Sequence, residues 1–326
     1  MDVIVSVICK TYNHEKYISK CINSLLNQKT NFKYEILIHD DASTDKTALI
    51  VKEYEQKYPN IIKAVYQKEN KYSKKIPIIP NFLLPIASGK FLAFCEGDDF
   101  WIDENKLQTQ VDALEDNPDC YLCVHTVQAT NENGFPVNYF YPINKYSNGM
   151  LNSDSFIKIL CYENFAFQLS SFLLKKEKYE YYINNIPKFR QVSCVGDLPL
   201  MLYFGSIGNV YYINKVMSCY RLNSINNWSN KGNESNSIYR YRCNSLITMF
   251  NEFDKFTNFK YHDLCEHRIS LFEFNNHIHF KDYKSALRKK YSQIRKKRSF
   301  LENLKLYVKY ILSFFNDNYK KINETE

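Results

Sequence analysis

An α/β fold is expected of this chain: a doubly wound layer of strands and helices, followed by a helical extension. Three observations lead there. Between Val3 and Val127, short apolar runs alternate with longer segments of helical spacing. Two of those runs end in acids, Asp40-Asp41 and Glu96-Gly97-Asp98-Asp99, and open α/β sheets bind ligands at the carboxyl ends of their strands. From about Ser235 onward, strand-like runs give way to helical patterns. Strands joined through helices close by right-handed crossovers into a parallel sheet.

Val3 to Cys9 is an apolar run that reads as a strand, and Glu15 to Asn27 carries Tyr17, Ile18, Cys21, Leu25 and Leu26 at helical spacing. Glu35 to His39 is the next strand. Ser43-Thr44-Asp45 offers an N-cap for a helix from Thr47 to Tyr58, which Pro59 closes. Ile61 to Tyr66 is a third strand, Gln67 to Lys75 a polar loop, and Pro80 to Ala87 a helix stopped by Ser88-Gly89 before the strand Phe91 to Cys95. A helix from Glu104 to Asp116 and a strand from Cys120 to Val127 complete the region. Beyond Gly134 the pattern is mixed: a helix near Ser153 to Tyr162, a strand near Gln168 to Leu174, a helix from Asp197 to Phe204, and strands Val210 to Ile213 and Val216 to Arg221. Their short connections suggest strands added at the edge of the same sheet. The expected domains are 1–232 and a helical extension, 233–326.

With 326 residues, 45% of them hydrophobic, the chain can bury a full core. No segment reaches the roughly 18 uncharged apolar residues of a membrane span, and no basic region opens the N-terminus, so a cytoplasmic address is expected. Ten cysteines are scattered singly through apolar runs and read as reduced core residues. Cys120 and Cys123 have the spacing of half a zinc site, without a second half. The formal charge of +8 is concentrated late in the chain.

Three acids within Glu96-Gly97-Asp98-Asp99 repel one another unless a cation or hydrogen-bond donors hold them, which points to a divalent metal carrying an anionic substrate. Lys10-Thr11-Tyr12-Asn13 follows the first strand, so a planar base can stack on the Tyr12 ring. Asp41, on a neighbouring strand end, can accept from an imide N–H. Together the two describe uracil recognition. Each also has a plain reading, as a strand-helix turn or an Asx turn.

The succession Val5-Ser6-Val7-Ile8 with Thr11-Tyr12-Asn13, then Asp40-Asp41-Ala42-Ser43-Thr44-Asp45, then Gly89-Lys90 leading to Glu96-Gly97-Asp98-Asp99, resembles the family 2 glycosyltransferases of the GT-A fold over roughly residues 3 to 230. The resemblance implies a GT-A mixed sheet, a nucleotide-sugar donor, with a UDP-sugar favoured through Asp41, a divalent metal and inversion at the anomeric carbon. It makes Tyr12 the base-stacking ring, Asp41 the uracil acceptor, Thr11 and Asn13 the adjoining wall, and Asp40 an assistant. The acidic element resembles the family's DxD: Asp99 as metal ligand, Asp98 as ribose or sugar contact and second metal candidate, Glu96 behind them. A hard cation, Mn2+ or Mg2+, suits such oxygen ligands and stabilises the departing diphosphate.

Gly196-Asp197 before an apolar helix is ordinary capping by composition, and the resemblance makes Asp197 the catalytic base. Tyr220-Arg221 and Asn227-Trp228-Ser229 resemble a bacterial subgroup, with Arg221 balancing the diphosphate and Trp228 lining the acceptor or closing over the donor. Ser170-Ser171 and Lys71-Tyr72-Ser73 are further candidates for sugar or phosphate contacts, with core filling or a solvated loop as the plain alternative.

The basic run from Lys281 to Arg298, with Asp282 its only acid, precedes Phe300, Leu301, Leu304, Val308, Ile311, Leu312, Phe314 and Phe315 at helical spacing. It fits a peripheral contact with an anionic membrane, or a solvated helix packed on the domain or a partner. Aromatic residues there can support a homodimer. No base-reading module is apparent, so nucleic acid is not an expected partner. The expected activity is sugar transfer to a saccharide or lipid-linked acceptor in bacterial surface polysaccharide or lipopolysaccharide synthesis. A noncatalytic sugar-nucleotide-binding or scaffold protein is the alternative of a different class. A sugar nucleotidyltransferase would need a glycine-rich loop where Lys10-Thr11-Tyr12-Asn13 stands.

Overall fold

The computed structural model describes residues 2–163, 166–222 and 235–323. In chain order the first part runs β1 (Val3–Thr11), α1 (Ile18–Leu26), β2 (Lys33–Asp40), α2 (Thr47–Lys57), β3 (Ile62–Tyr66), β4 (Phe91–Phe94), β5 (Phe100–Trp101) and α3 (Lys106–Asp116). It continues with β6 (Cys120–Thr130), β7 (Pro136–Tyr141), β8 (Gly149–Leu151), α4 (Ser153–Tyr162), β9 (Leu173–Lys175), α5 (Lys176–Asn184), α6 (Lys188–Gln191), α7 (Asp197–Ile207) and β10 (Asn209–Arg221). The strands form one sheet in the order β3-β2-β1-β4-β9-β6-β10-β5, with β7 on β6 and β8 on β10.

The left half follows the expectation. β2 and β4 flank β1 in parallel, and β3 runs parallel to β2, so three successive crossovers bring their carboxyl ends to one edge. Strand β1 is apolar and buried at Val5, Val7, Ile8 and Cys9 because α1 and α2 cover the sheet; Ile18, Cys21, Ile22, Leu25 and Val51 complete that core.

The right half departs from it. β9 lies inside the sheet, antiparallel to both β4 and β6, where addition at an edge was expected. A three-residue strand pairing on both sides carries too little pattern to reveal its position. Residues 168–171 form a 3-10 turn at Leu169–Ser171 in place of a strand start, and 80–87 form a π turn (Ile79–Leu83) and a 3-10 turn (Leu84–Ile86) in place of a helix. Pro80 and Pro85 lack the N–H groups that a regular helix needs there. The two strands expected at 210–221 are one, β10, with register shifts between Ile213 and Val216 and between Val216 and Ser218.

The chain divides into two compact units: Met1–Pro187 with Val195–Asn233, and Lys188–Cys194 with Glu234–Glu326. The second unit contains α8 (Asn236–Phe256), α9 (His262–His279), α10 (Tyr283–Ala286), α11 (Ser292–Lys296) and α12 (Phe300–Asn323). It also takes in the stretch at 188–194. There Phe189 stands edge-on to Phe253 and Phe256, and Ser245 Oγ accepts the Cys194 N–H at 2.7 Å while donating to the Val192 carbonyl at 2.8 Å. Its distal end is packed around Phe274, Ala286, Tyr291, Ile294 and Leu306. No described helix is long and apolar enough to cross a membrane.

Candidate active site

Two turns, after β1 and after β2, lock together at the carboxyl edge. Asn13 and Ala42 both adopt left-handed backbone, φ 54° and 61°, which bends the chain sharply off each strand. Asn13 N–H donates to Ser43 Oγ at 2.9 Å and its Oδ1 accepts the Thr44 N–H at 2.8 Å. Asp40 spends its carboxylate within the turn, on Ser43 N–H at 3.1 Å and Ser43 Oγ at 2.5 Å. Asp41 is held differently. Its two oxygens accept the N–H groups of Lys71 and Tyr72 at 2.8 and 3.0 Å, and its own N–H donates to the Thr11 carbonyl at 3.0 Å. Asp41 thus stands as an oriented acceptor beside the partly buried Tyr12.

On the other side of β1, Gly97 N–H donates to the Lys10 carbonyl at 2.9 Å. A Cβ at Gly97 would sit 2.6 Å from Thr11 Oγ1 and 2.9 Å from His14 Nδ1, so only glycine lets the acidic turn lie this close. Those two atoms are buried and find no hydrogen-bond partner among the described residues. Lys10 Nζ pairs with Glu96 at 3.0 Å, and each holds the other charged: Glu96 lies below the usual carboxylate range and Lys10 above the usual amine range.

Asp99 is buried, and the burial together with Asp98 and Glu96 pushes its carboxyl well up, although Asp99 Oδ1 accepts the Arg221 N–H at 2.9 Å. Arg221 Nε donates to the Asp98 carbonyl at 2.8 Å and Nη1 to the Glu132 carbonyl at 2.6 Å, with the guanidinium 4.4 Å above the Tyr17 ring. In this arrangement Arg221, only 2% exposed, positions the acidic turn. Asp98, in the same turn, is also buried, at 9% exposure.

Asp197 opens α7, a helix buried from Leu198 to Gly205. Burial raises its carboxyl, as does Glu96, while the N–H of Leu198, donated to Oδ1 at 2.9 Å, and Lys10 oppose the rise. Lys10 in turn feels Glu96, Tyr72 and Asp197. The four therefore share one electrostatic neighbourhood at the mouth of β1.

Thr11, Tyr12, Asn13, Asp40, Asp41, Glu96, Asp98, Asp99, Asp197 and Arg221 all belong to the same compact unit. Trp228 lies outside the described residues. Ser170 and Ser171 are core: Ser170 Oγ meets Ser218 Oγ at 3.1 Å and Ser171 Oγ donates to the Gln168 carbonyl at 2.7 Å. Cys120 and Cys123 are buried thiols pushed up to about 11 and about 12 by burial, and all ten cysteines are free. Lys10 was not singled out in the sequence, where a lone lysine in a turn carries no signal of its partner 86 positions on.

The donor chemistry suits a hard divalent cation. Asp98 and Asp99 offer adjacent carboxylate oxygens, and the buried Asp99 gains its anionic form when a cation compensates it. Among the described residues no group of three or more His, Cys, Asp or Glu side chains can hold a metal alone. Two carboxylates with a diphosphate completing the shell is a common arrangement for Mg2+.

Comparison with known proteins extends this geometry. The model of the family described as "Glycosyl transferase family 2" matches residues 6–174. The UDP-Glc:alpha-D-GlcNAc-diphosphoundecaprenol beta-1,3-glucosyltransferase WfgD of Escherichia coli is 37% identical over 116 residues, 36% of this chain and 43% of that protein. The putative teichuronic acid biosynthesis glycosyltransferase TuaG of Bacillus subtilis is 32% identical over 137 residues, 42% of this chain and 52% of its own. An uncharacterized protein of Mycobacterium tuberculosis, 37% identical over 141 residues, is likewise matched over 39% of its length, so the similarity spans about half or less of these relatives. Among solved structures, S. aureus TarS in complex with UDP-GlcNAc superposes with a TM-score of 0.60 at 19% identity, covering 89% of this chain and 77% of that one. The mannosyltransferase PcManGT of Pyrobaculum calidifontis, in complex with GDP-Man and Mn2+, gives 0.54 at 14% identity, covering 96% and 81%. At those identities the likeness is one of fold, the GT-A fold.

Proposed function

Because the chain belongs to glycosyl transferase family 2, we propose that it transfers a sugar from a UDP-sugar donor to a hydroxyl of a saccharide or lipid-linked acceptor, with inversion at the anomeric carbon. One observation carries this reading: the acceptor Asp41, the acidic turn at Asp98-Asp99 and the half-buried Asp197 gather around the end of β1, tied through Lys10, Glu96 and Tyr72.

In this reading Tyr12 stacks on the uracil, Asp41 accepts its imide N–H, and Thr11 and Asn13 wall the base. Asp40 acts through Ser43 by shaping the turn. Asp98 takes the ribose or sugar, and Asp99 with Asp98 holds Mn2+ or Mg2+. When bound, the cation neutralises charge on the diphosphate oxygens as the leaving group departs. Asp197 takes the proton of the acceptor hydroxyl while its oxygen bonds to the anomeric carbon and the carbon's bond to the diphosphate oxygen breaks on the opposite face. Glu96 is kept from burdening this site with a further uncompensated charge by Lys10. Arg221 positions the acidic turn from behind.

The activity of WfgD, a UDP-Glc:alpha-D-GlcNAc-diphosphoundecaprenol glucosyltransferase, supports a lipid-linked acceptor and UDP, and the UDP-GlcNAc held by TarS supports UDP. The teichuronic acid biosynthesis named for TuaG supports a role in surface polysaccharide synthesis, and ten free cysteines support a reducing, cytoplasmic setting. The test is turnover of UDP-sugars with Mn2+. Asp197→Asn lowers turnover roughly 10²- to 10⁴-fold while UDP binding survives. Full turnover in that variant removes Asp197 as base, and failure of every UDP-sugar to bind with Mn2+ present removes the donor assignment.

A further inference from the structure

Helix α12 packs one face and leaves the opposite, apolar face exposed. Asn303, Leu306, Tyr310 and Ser313 recur every three or four residues and are the less exposed positions of the helix, with Leu306 at 3% in the distal core of the second unit. The opposite face carries Leu301, Leu304, Val308, Ile311 and Leu312, exposed by 65, 46, 46, 50 and 57%. At 3.6 residues per turn these five form one continuous stripe, bordered by the exposed Lys305 and Lys309. Scattered exposed leucines need no account, but a stripe running along successive turns does. Phe314 and Phe315 lie outside the residues whose side chains are described.

The charges before α12 divide into two sets. Arg295 donates to the carbonyls of Ala286 and Arg288, Arg298 stacks 5.3 Å over Phe274, and Lys290 pairs with Glu273, so these three build the fold. Lys284, Arg288, Lys289 and Lys296 remain at the surface. Asn303 Nδ2 donates to the Arg295 carbonyl at 2.8 Å, which fixes the first turns of α12 beside the Lys296-Lys297 pair.

We propose that α12 and the basic segment before it form a docking surface for an anionic lipid bilayer, with the stripe entering the acyl boundary and the lysines meeting the headgroups. The combination decides between occupants. A polyanion alone would answer the charges and leave the stripe in water. A second copy would cover the stripe and leave the cations unanswered. An anionic membrane satisfies both at once, as amphipathic basic helices do at interfaces. This inference does not rest on the sugar-transfer reading, since it concerns the other unit.

The experiment is co-sedimentation of the full chain with phosphatidylcholine vesicles, with and without phosphatidylglycerol. Binding to the phosphatidylglycerol vesicles is expected, weakened at high salt, and lowered roughly tenfold or more by Lys289→Gln with Lys296→Gln. Leu304→Glu with Val308→Glu abolishes it with an unchanged melting temperature, because both side chains are exposed. Three results overturn the proposal: no binding, binding that ignores the Leu304 and Val308 substitutions, or a concentration-dependent dimer in solution that those substitutions dissolve. UDP-sugar turnover measured on the same variants without vesicles stays at the wild-type level, which separates this test from that of the reaction.

Discussion

Asp197 has to be ionised to accept a proton, and its surroundings set where that happens. Burial and Glu96 raise its carboxyl, so the proposed base is lost as pH falls through a value above the ordinary carboxylate range. Lys10 acts in the opposite sense. In Lys10→Met the acid limb of kcat/KM therefore moves to higher pH while the plateau at alkaline pH is retained. A pH profile that keeps its limb in place shows that Lys10 serves only to neutralise Glu96. Gly97 shows the same economy of space at this scale: with 2.6 Å between its absent Cβ and Thr11 Oγ1, the acidic turn has no alternative residue at that position without moving β1 or itself.

At the scale of elements, α3 is joined to the sheet by a polar chain inside the core. Lys106 is fully buried, with Nζ 4.0 Å above the Trp101 ring and 2.7 Å from Gln110 Oε1, and Gln110 Nε2 donates to the Ser171 carbonyl at 2.8 Å. Burial lowers the Lys106 amine to about 7. Its ordinary value in the unfolded chain is about 10.4, so between these limits the unfolded state binds the extra proton and stability rises with pH. Below about 7 the dependence vanishes. Lys106→Met consequently gains on the wild type at pH 7, and the gap shrinks by roughly 1–2 kcal/mol by pH 8.5. Urea midpoints of the two proteins at both pH values measure this, and a constant gap means that Lys106 stays in one protonation state. The comparison cancels the contributions of the other titrating groups.

For the molecule as a whole, donor and cation should stabilise the GT-A unit together. UDP with Mn2+ at about 100 times its Kd adds roughly 2.7 kcal/mol, a rise of roughly 5–10 °C for a unit of this size. UDP with EDTA is expected to give a much smaller rise, and Asp99→Asn to abolish the difference between the two. Equal shifts with and without the cation would remove Asp98 and Asp99 as its ligands and leave them as partners of the turn alone.

Much of this was legible from the residues. The period of β1, β2 and α1, the acids at the ends of the apolar runs, and the helical character after Ser235 are local properties, set by side-chain spacing within a few positions. The short strands β5 and β8 were not, because each is two or three residues long and takes its form from pairing with the distant β10. The same reason governs the site. That Asp40-Asp41 and Glu96-Gly97-Asp98-Asp99 end strands is written in the chain. That Lys10 compensates Glu96, that Lys71 and Tyr72 aim Asp41, and that Arg221 holds Asp98 and Asp99 from 122 positions away became definite only once the sheet had closed. Backbone hydrogen bonds and charge pairs between remote segments leave no periodic trace in sequence, since their energy depends on distances that packing alone creates.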